Sequence, residues 1–135
     1  NHWMMTAALF IVTILLIQDI IDSVTRKHKT VSPNEAVVLL NNDLTIVVDV
    51  REPAEFAEGH IEGARNIPLQ KLEERATELE DHKNKPILVN CQSGTRSLAA
   101  GKKLTQLGFT QIFELKGGMF AWKDSNLPVT KKRGK

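Results

Sequence analysis

Three short apolar runs decide what this chain can fold into. They are Thr45-Ile46-Val47-Val48-Asp49, Pro86-Ile87-Leu88-Val89-Asn90 and Gln111-Ile112-Phe113-Glu114-Leu115. The first two lack polar alternation, as expected of strands buried on both faces, and the third reads as a further strand. Helical stretches lie between them. Ser32-Pro33-Asn34-Glu35 is a helix start with a capping serine, a first-turn proline and a reciprocal glutamate, and Ala36 to Leu40 supplies its apolar face. Pro53 to Phe56 reads as a short helix closed by Gly59, and Ala64 to Ile67 as a brief strand. Residues 70–80 place Leu72, Ala76 and Leu79 on one face and acids on the other, which predicts an amphipathic helix. Ser97 to Leu107 predicts another, stopped by Gly108, and Met119 to Asp124 a last short one. Strands alternating with helices give an α/β class, a central parallel sheet with helices on both faces.

A chain of 135 residues is the size of one domain. Its net charge of +2 is too small to argue for nucleic acid, and no nucleic-acid partner is expected. One cysteine excludes an intrachain disulfide and a thiolate cluster, and suits a reducing compartment. The histidines His2, His28, His60 and His82 lack ligand spacing, so neither a metal nor a cofactor is expected.

The domain, placed at residues 30–128, follows a hydrophobic leader. Trp3 to Ile17 is fifteen residues without a charge. As a helix it spans roughly 22 Å against a hydrocarbon core of about 30 Å, and Gln18-Asp19 interrupts it before Ile20-Ile21. A secretory signal would want a basic start and a small-x-small cleavage site, and a buried helix a polar stripe. Neither pattern is present. Residues 1–24 are therefore read as a single-pass membrane anchor, with 25–29 as a basic juxtamembrane linker and 129–135 as a loose basic tail. Arg26, Lys27 and Lys29 follow the run and no Lys or Arg precedes it, which by the positive-inside rule puts the domain in the cytoplasm, on the inner membrane.

The chemistry concentrates in Cys91-Gln92-Ser93-Gly94-Thr95-Arg96, between a buried strand and a helix. At the carboxyl end of a parallel strand, successive N–H groups can face one concavity, and the helix start adds its positive end. A thiol there loses its proton more readily, and the thiolate is the nucleophile. A lone cysteine after an apolar strand is ordinarily an inert core residue. Five polar or glycine residues in succession, closed by Arg96, favour the reactive reading.

The loop C-Q-S-G-T-R resembles the C-x-x-G-x-R active-site loop of rhodanese-homology domains. Asp49-Val50-Arg51-Glu52 with Glu55-Phe56, Gly59 to Pro68, and Gly117-Gly118-Met119-Phe120-Ala121-Trp122 resemble three further stretches of that family, in the same order. The anchor followed by one such domain is similar to bacterial membrane-associated rhodanese proteins. The resemblance implies a rhodanese-like fold and a sulfurtransferase. Cys91 would take the outer sulfur of thiosulfate or a persulfide and pass it to a thiol or cyanide. Loop N–H groups from Gln92 to Arg96 would stabilise the persulfide. Two roles are open to Arg96, orienting an anionic donor or bracing the loop. Asp49 and Arg51 are expected as a supporting ion pair, while His60 and Trp122 are expected to pack. The expected partners are a small sulfur-donor anion or a persulfide or thiol protein, with the membrane engaged through the leader.

Two other readings are weighed against this. Phosphatases and arsenate reductases on related folds use C-x5-R, seven residues, whereas Cys91 to Arg96 counts six, which leaves a tetrahedral phosphate less room. A non-catalytic module docking to a membrane complex would need neither Cys91 nor Arg96.

Overall fold

The computed structural model describes residues 2–25 and 28–131, with the backbone alone for 22–25 and 28. It is an α/β structure with a five-stranded, wholly parallel sheet. The strands are β1 (His28–Val31), β2 (Ile46–Asp49), β3 (Arg65–Asn66), β4 (Ile87–Asn90) and β5 (Ile112–Leu115), in spatial order β1-β5-β4-β2-β3. β4 and β2 hold the middle, paired Ile46 with Ile87 through Asp49 with Asn90.

Alternation along these strands builds a core on each face. Ile46, Val48, Ile87, Val89 and Ile112 turn one way, onto α4 (Leu72–Arg75) and α5 (Thr95–Gln106) through Leu72, Ala100 and Leu104. Val47, Leu88 and Leu115 turn the other way, onto α2 (Pro33–Leu40), α3 (Pro53–Glu58) and α6 (Gly118–Asp124) through Ala36, Phe56, Met119 and Trp122. Every β4 residue is buried, as its unbroken apolar run requires. The expected helix start at Ser32 is present, with Glu35 N–H donating to Ser32 Oγ and Ser32 N–H to Glu35 Oε1.

Three expectations need correcting. His28 and Lys29, read as linker, belong to β1, which pairs with β5 from His28–Ile112 to Val31–Leu115; an edge strand has one neighbour and needs no apolar run. Residues 70–80 are not one helix. A 3-10 turn (Leu69–Lys71), the single α turn of α4 and a second 3-10 segment (Ala76–His82) follow one another. Ala76 and Leu79 are buried and His82 half-buried, a three-residue spacing that a 3-10 helix keeps on one face. The tail is not loose at its start, because Thr130 and His60 exchange backbone hydrogen bonds at 2.8 and 2.9 Å. Residues 26–27 of the linker and 132–135 of the tail lie outside the described residues.

Ahead of the sheet stands α1 (Trp3–Thr25), whose 23 residues span about 35 Å. Gln18 and Asp19 interrupt its hydropathy but not its backbone. Residues Trp3–Ile21 have a mean hydropathy of 2.2, are not buried against the domain, and are long and apolar enough to cross a membrane. A signal sequence meets the same description.

All strands being parallel, their carboxyl ends share one edge, and a ligand crevice belongs where connections diverge from the centre. There the chain leaves β4 at Cys91. The start of α6 is pressed beneath this point: Met119 N–H donates to Cys91 O at 2.8 Å and Phe120 N–H to Gln92 O at 3.1 Å. Gly118 permits the approach, with φ at +57°, and a Cβ there would lie 2.7 Å from the carbonyl carbon of Gln92. Gly118→Ala is therefore expected to cost more than about 1 kcal/mol, read as a lower denaturation midpoint of the full chain in detergent followed by Trp fluorescence.

Candidate active site

Cys91 continues the inward face of β4 and is completely buried. Its sulfur closes a small ring of hydrogen bonds. Gly94 N–H donates to Sγ at 2.9 Å, the thiol donates to Ser97 Oγ at 3.4 Å, and the Ser97 hydroxyl donates to Gly94 O at 3.0 Å. Gly94, at φ +104°, turns the chain back over the sulfur and caps α5. Among the described residues, the N–H groups of Gln92, Ser93, Thr95 and Arg96 make no hydrogen bond. Free N–H groups are the normal state of a helix's first turn and make it receptive to negative charge. Once ionised, the sulfur has no proton to give, and the Ser97 hydroxyl can rotate to donate to it.

The loop is held from two sides. Arg51, 2 % exposed, uses all its guanidinium N–H groups. Nε donates to both Asp49 carboxylate oxygens, Nη2 to Asp49 Oδ2 at 2.8 Å and Gly59 O at 2.8 Å, and Nη1 to Glu55 O at 3.3 Å and Gln92 Oε1 at 3.1 Å. Asp49 Oδ1 also accepts the Arg51 backbone N–H. This ion pair thereby ties the end of β2 to the side chain that follows Cys91.

On the other side Arg96 makes a two-pronged pair with Glu55, Nη1 to Oε1 at 2.7 Å and Nη2 to Oε2 at 2.9 Å. Of the two roles open to Arg96, the structure shows the bracing one, fastening α5 to α3. The Arg96 hydrogen bonds first, with a backbone bond from Glu52 and the charges of Arg96 and Arg51, hold the Glu55 carboxyl at about 2 against an ordinary 4.5, over an opposing desolvation. Arg96 is in turn raised, chiefly by its bond to Glu55.

The residues expected at the site thus come together: Cys91 and the loop from Gln92 to Arg96, with Asp49 and Arg51 beside it. The Ser93 and Thr95 side chains make no hydrogen bond among the interactions described. His60 packs, its ring stacked on Phe56 at 3.7 Å and bonded through Nδ1 to Phe56 O at 2.8 Å. The Trp122 indole N–H donates to Pro128 O at 2.8 Å and pins the segment after α6. Sequence reasoning quoted Glu55 and Gly118 within family motifs and Ser97 as a helix start, but gave none of them its role at the Cys91 loop. The signal for Ser97 was its place in the first turn of α5, where a side chain lies over the loop before it. Glu55 lies 41 positions from Arg96 and carries no local signal of that pairing.

The description "Rhodanese-like domain" fits residues 32–125 as a family model. The chain belongs to the rhodanese-like domain family. It is 35% identical over 136 residues to the uncharacterized protein YibN of Escherichia coli strain K12, covering 100% of this chain and 94% of that one. It is also 35% identical to the thiosulfate sulfurtransferase GlpE of Ectopseudomonas mendocina, over 72% of this chain and 86% of that one. Among solved structures, a rhodanese-related protein from Thermoplasma volcanium aligns with a TM-score of 0.67 at 35% identity, over 77% of this chain and 99% of that one.

The Glu55–Arg96 brace of the rhodanese-like domain has a pH signature. Its carboxyl is depressed in the folded state, so the stabilisation is fully present above pH 4.5 and is lost as pH falls toward 2. Both side chains are 33% exposed, and screening limits the pair to about 1 kcal/mol or less. Glu55→Gln is expected to flatten stability against pH between 4.5 and 2, and to leave its slope above pH 5 unchanged; equilibrium denaturation across that range measures both.

Proposed function

We propose that this rhodanese-like domain is a sulfurtransferase that carries sulfane sulfur as a Cys91 persulfide. The observation that carries the reading is the Gly94 N–H set 2.9 Å from Sγ, beside four further loop N–H groups that have no partner among the described residues. Backbone donors there can stabilise the negative outer sulfur of a persulfide. Relatives that bear the name sulfurtransferase support the same reading.

The Cys91 thiolate attacks the sulfane sulfur of thiosulfate. A new S–S bond forms at Sγ, the S–S bond of thiosulfate breaks, and sulfite leaves with the electron pair. Cyanide or a thiolate then attacks the outer sulfur, departing as thiocyanate or as a new persulfide, and the Cys91 thiolate is restored. A protein persulfide serves as donor by the same exchange, with its own thiolate as leaving group. The complete burial of Cys91 favours a slender terminal sulfur over a bulky phosphoester.

Intact-mass spectrometry of the full chain in detergent tests this. After thiosulfate or a small-molecule persulfide donor, the protein is expected to gain the mass of one sulfur, absent in Cys91→Ser and removed by cyanide. No adduct with either donor would refute sulfur transfer and favour a docking module.

We further propose that α1 is a single-pass anchor in the inner membrane with the domain in the cytoplasm. The apolar span Trp3–Ile21 and the basic residues Arg26, Lys27 and Lys29 after it support this. In a bacterial host the full-length chain is expected to stay in the membrane pellet after alkaline carbonate. The domain should resist protease added to intact spheroplasts and be digested after lysis. Release by carbonate, or digestion in intact spheroplasts, would overturn the placement.

A further inference from the structure

We infer that the membrane lies against the amino edge of the sheet, so that Cys91 faces away from it and serves water-soluble donors and acceptors, not bilayer-borne ones. The inference rests on the anchor reading above and on sulfur transfer at Cys91. Its ground is covalent reach.

The apolar span ends at Ile21, and the helix continues four residues to Thr25, about 6 Å. Three Cα–Cα steps separate Thr25 from His28, the first residue of β1, and they reach at most about 11 Å whatever path they take. His28 is therefore held within about 17 Å of the hydrocarbon boundary, of which the headgroup layer fills roughly 5–7 Å. Because the sheet is wholly parallel, His28 marks the amino edge, and Cys91, following Asn90, marks the carboxyl edge.

The inverted arrangement, with the Cys91 loop on the headgroups, fails on distance. His28 to Val31 takes about 10 Å along the strand. The loops and the first turns of α5 and α6 beyond the strand ends add about one helical pitch, roughly 5 Å. Above a headgroup layer of about 5–7 Å, His28 would then stand about 20–22 Å from the hydrocarbon, beyond its tether of about 17 Å. With the amino edge down, the tether is slack and the Cys91 loop opens to water. A thiol or persulfide dissolved in the bilayer does not reach that edge; an anion such as thiosulfate, or a cysteine of a soluble protein, does.

The two ends of β5, the strand next to β1, report the orientation. Thr110 precedes it at the amino edge, Lys116 follows it at the carboxyl edge, and both are exposed. In a Cys91→Ser background, Thr110→Cys and Lys116→Cys full-length chains are labelled with bimane and reconstituted in phosphatidylcholine vesicles carrying headgroup nitroxides. Asn84→Cys, also exposed and preceding β4, replaces Thr110→Cys if that variant misfolds. The expected result is loss of emission at the amino-edge label and none at position 116. Equal loss at position 116, or loss there alone, overturns the orientation while leaving the anchor intact. Failure of the chains to float with vesicles overturns the anchor reading and the orientation with it. Sulfur transfer is scored separately on the parent chain in the same vesicles, with a soluble thiol and a lipid-tethered one as acceptors. Faster transfer to the lipid-tethered thiol refutes the choice of partner, and no transfer to either refutes sulfurtransferase activity itself.

Discussion

The guanidinium of Arg51 is the interaction on which the active edge depends. A charge that is 2 % exposed loses nearly all its hydration, an effective penalty of several kcal/mol. That penalty is offset only if every N–H finds an acceptor. Here each one does: a carboxylate from the end of β2, two backbone carbonyls around α3, and the side-chain oxygen of Gln92. The consequence is geometric as much as energetic. Moving any one of these four acceptors strands a donor on a buried cation, so the end of β2, the α3 turn and the loop after β4 hold one another in register.

That constraint explains how a six-residue loop can keep so many N–H groups free. Unpaired backbone donors normally pull a loop toward the nearest acceptor or toward water. The Cys91 loop is instead fixed at its other atoms. Its first two carbonyls accept from the start of α6, its Gln92 side chain meets Arg51, and its last side chain meets Glu55. With carbonyls and side chains committed, the Gly94 N–H stays on the sulfur, and the other loop N–H groups stay unpaired among the described residues when negative charge arrives. That is the condition for electrostatic preorganisation. Gly94 and Gly118 serve the same end, one by turning the chain over the sulfur and the other by letting α6 come close enough to hold it.

What was legible in the sequence follows from the range of each interaction. β2 and β4 could be read because burial on both faces forces a run of apolar residues, a local signal, and β5 because Ile112, Phe113 and Leu115 leave only Glu114 polar. The Ser32 cap and the Gly108 stop are local as well. β1 was illegible because an edge strand needs only a neighbour's backbone, and His-Lys-Thr-Val carries no burial pattern. The 3-10 geometry of Ala76–His82 was missed because spacings of three and four look alike over two turns. At the site, the cysteine, the glycine and the arginine are contiguous and could be read together. The role of Arg96 could not, since its partner Glu55 is brought near only by the sheet order that sets β2 beside β4.

The same tethering bears on the choice between sulfur and phosphorus chemistry. A phosphate bound in a cysteine loop presents several oxygens at once, and an arginine free to fork onto two of them is the usual complement. Here the arginine that closes the loop spends its fork on Glu55, and the other nearby guanidinium, Arg51, has no N–H left to offer. What remains for an incoming group is the Gly94 N–H at the buried sulfur and four loop N–H groups without a partner among the described residues. Backbone donors suit a small group bearing one negative charge, as the outer sulfur of the proposed persulfide is. The six-residue length and the two occupied arginines therefore favour the same ligand for independent reasons, one steric and one electrostatic.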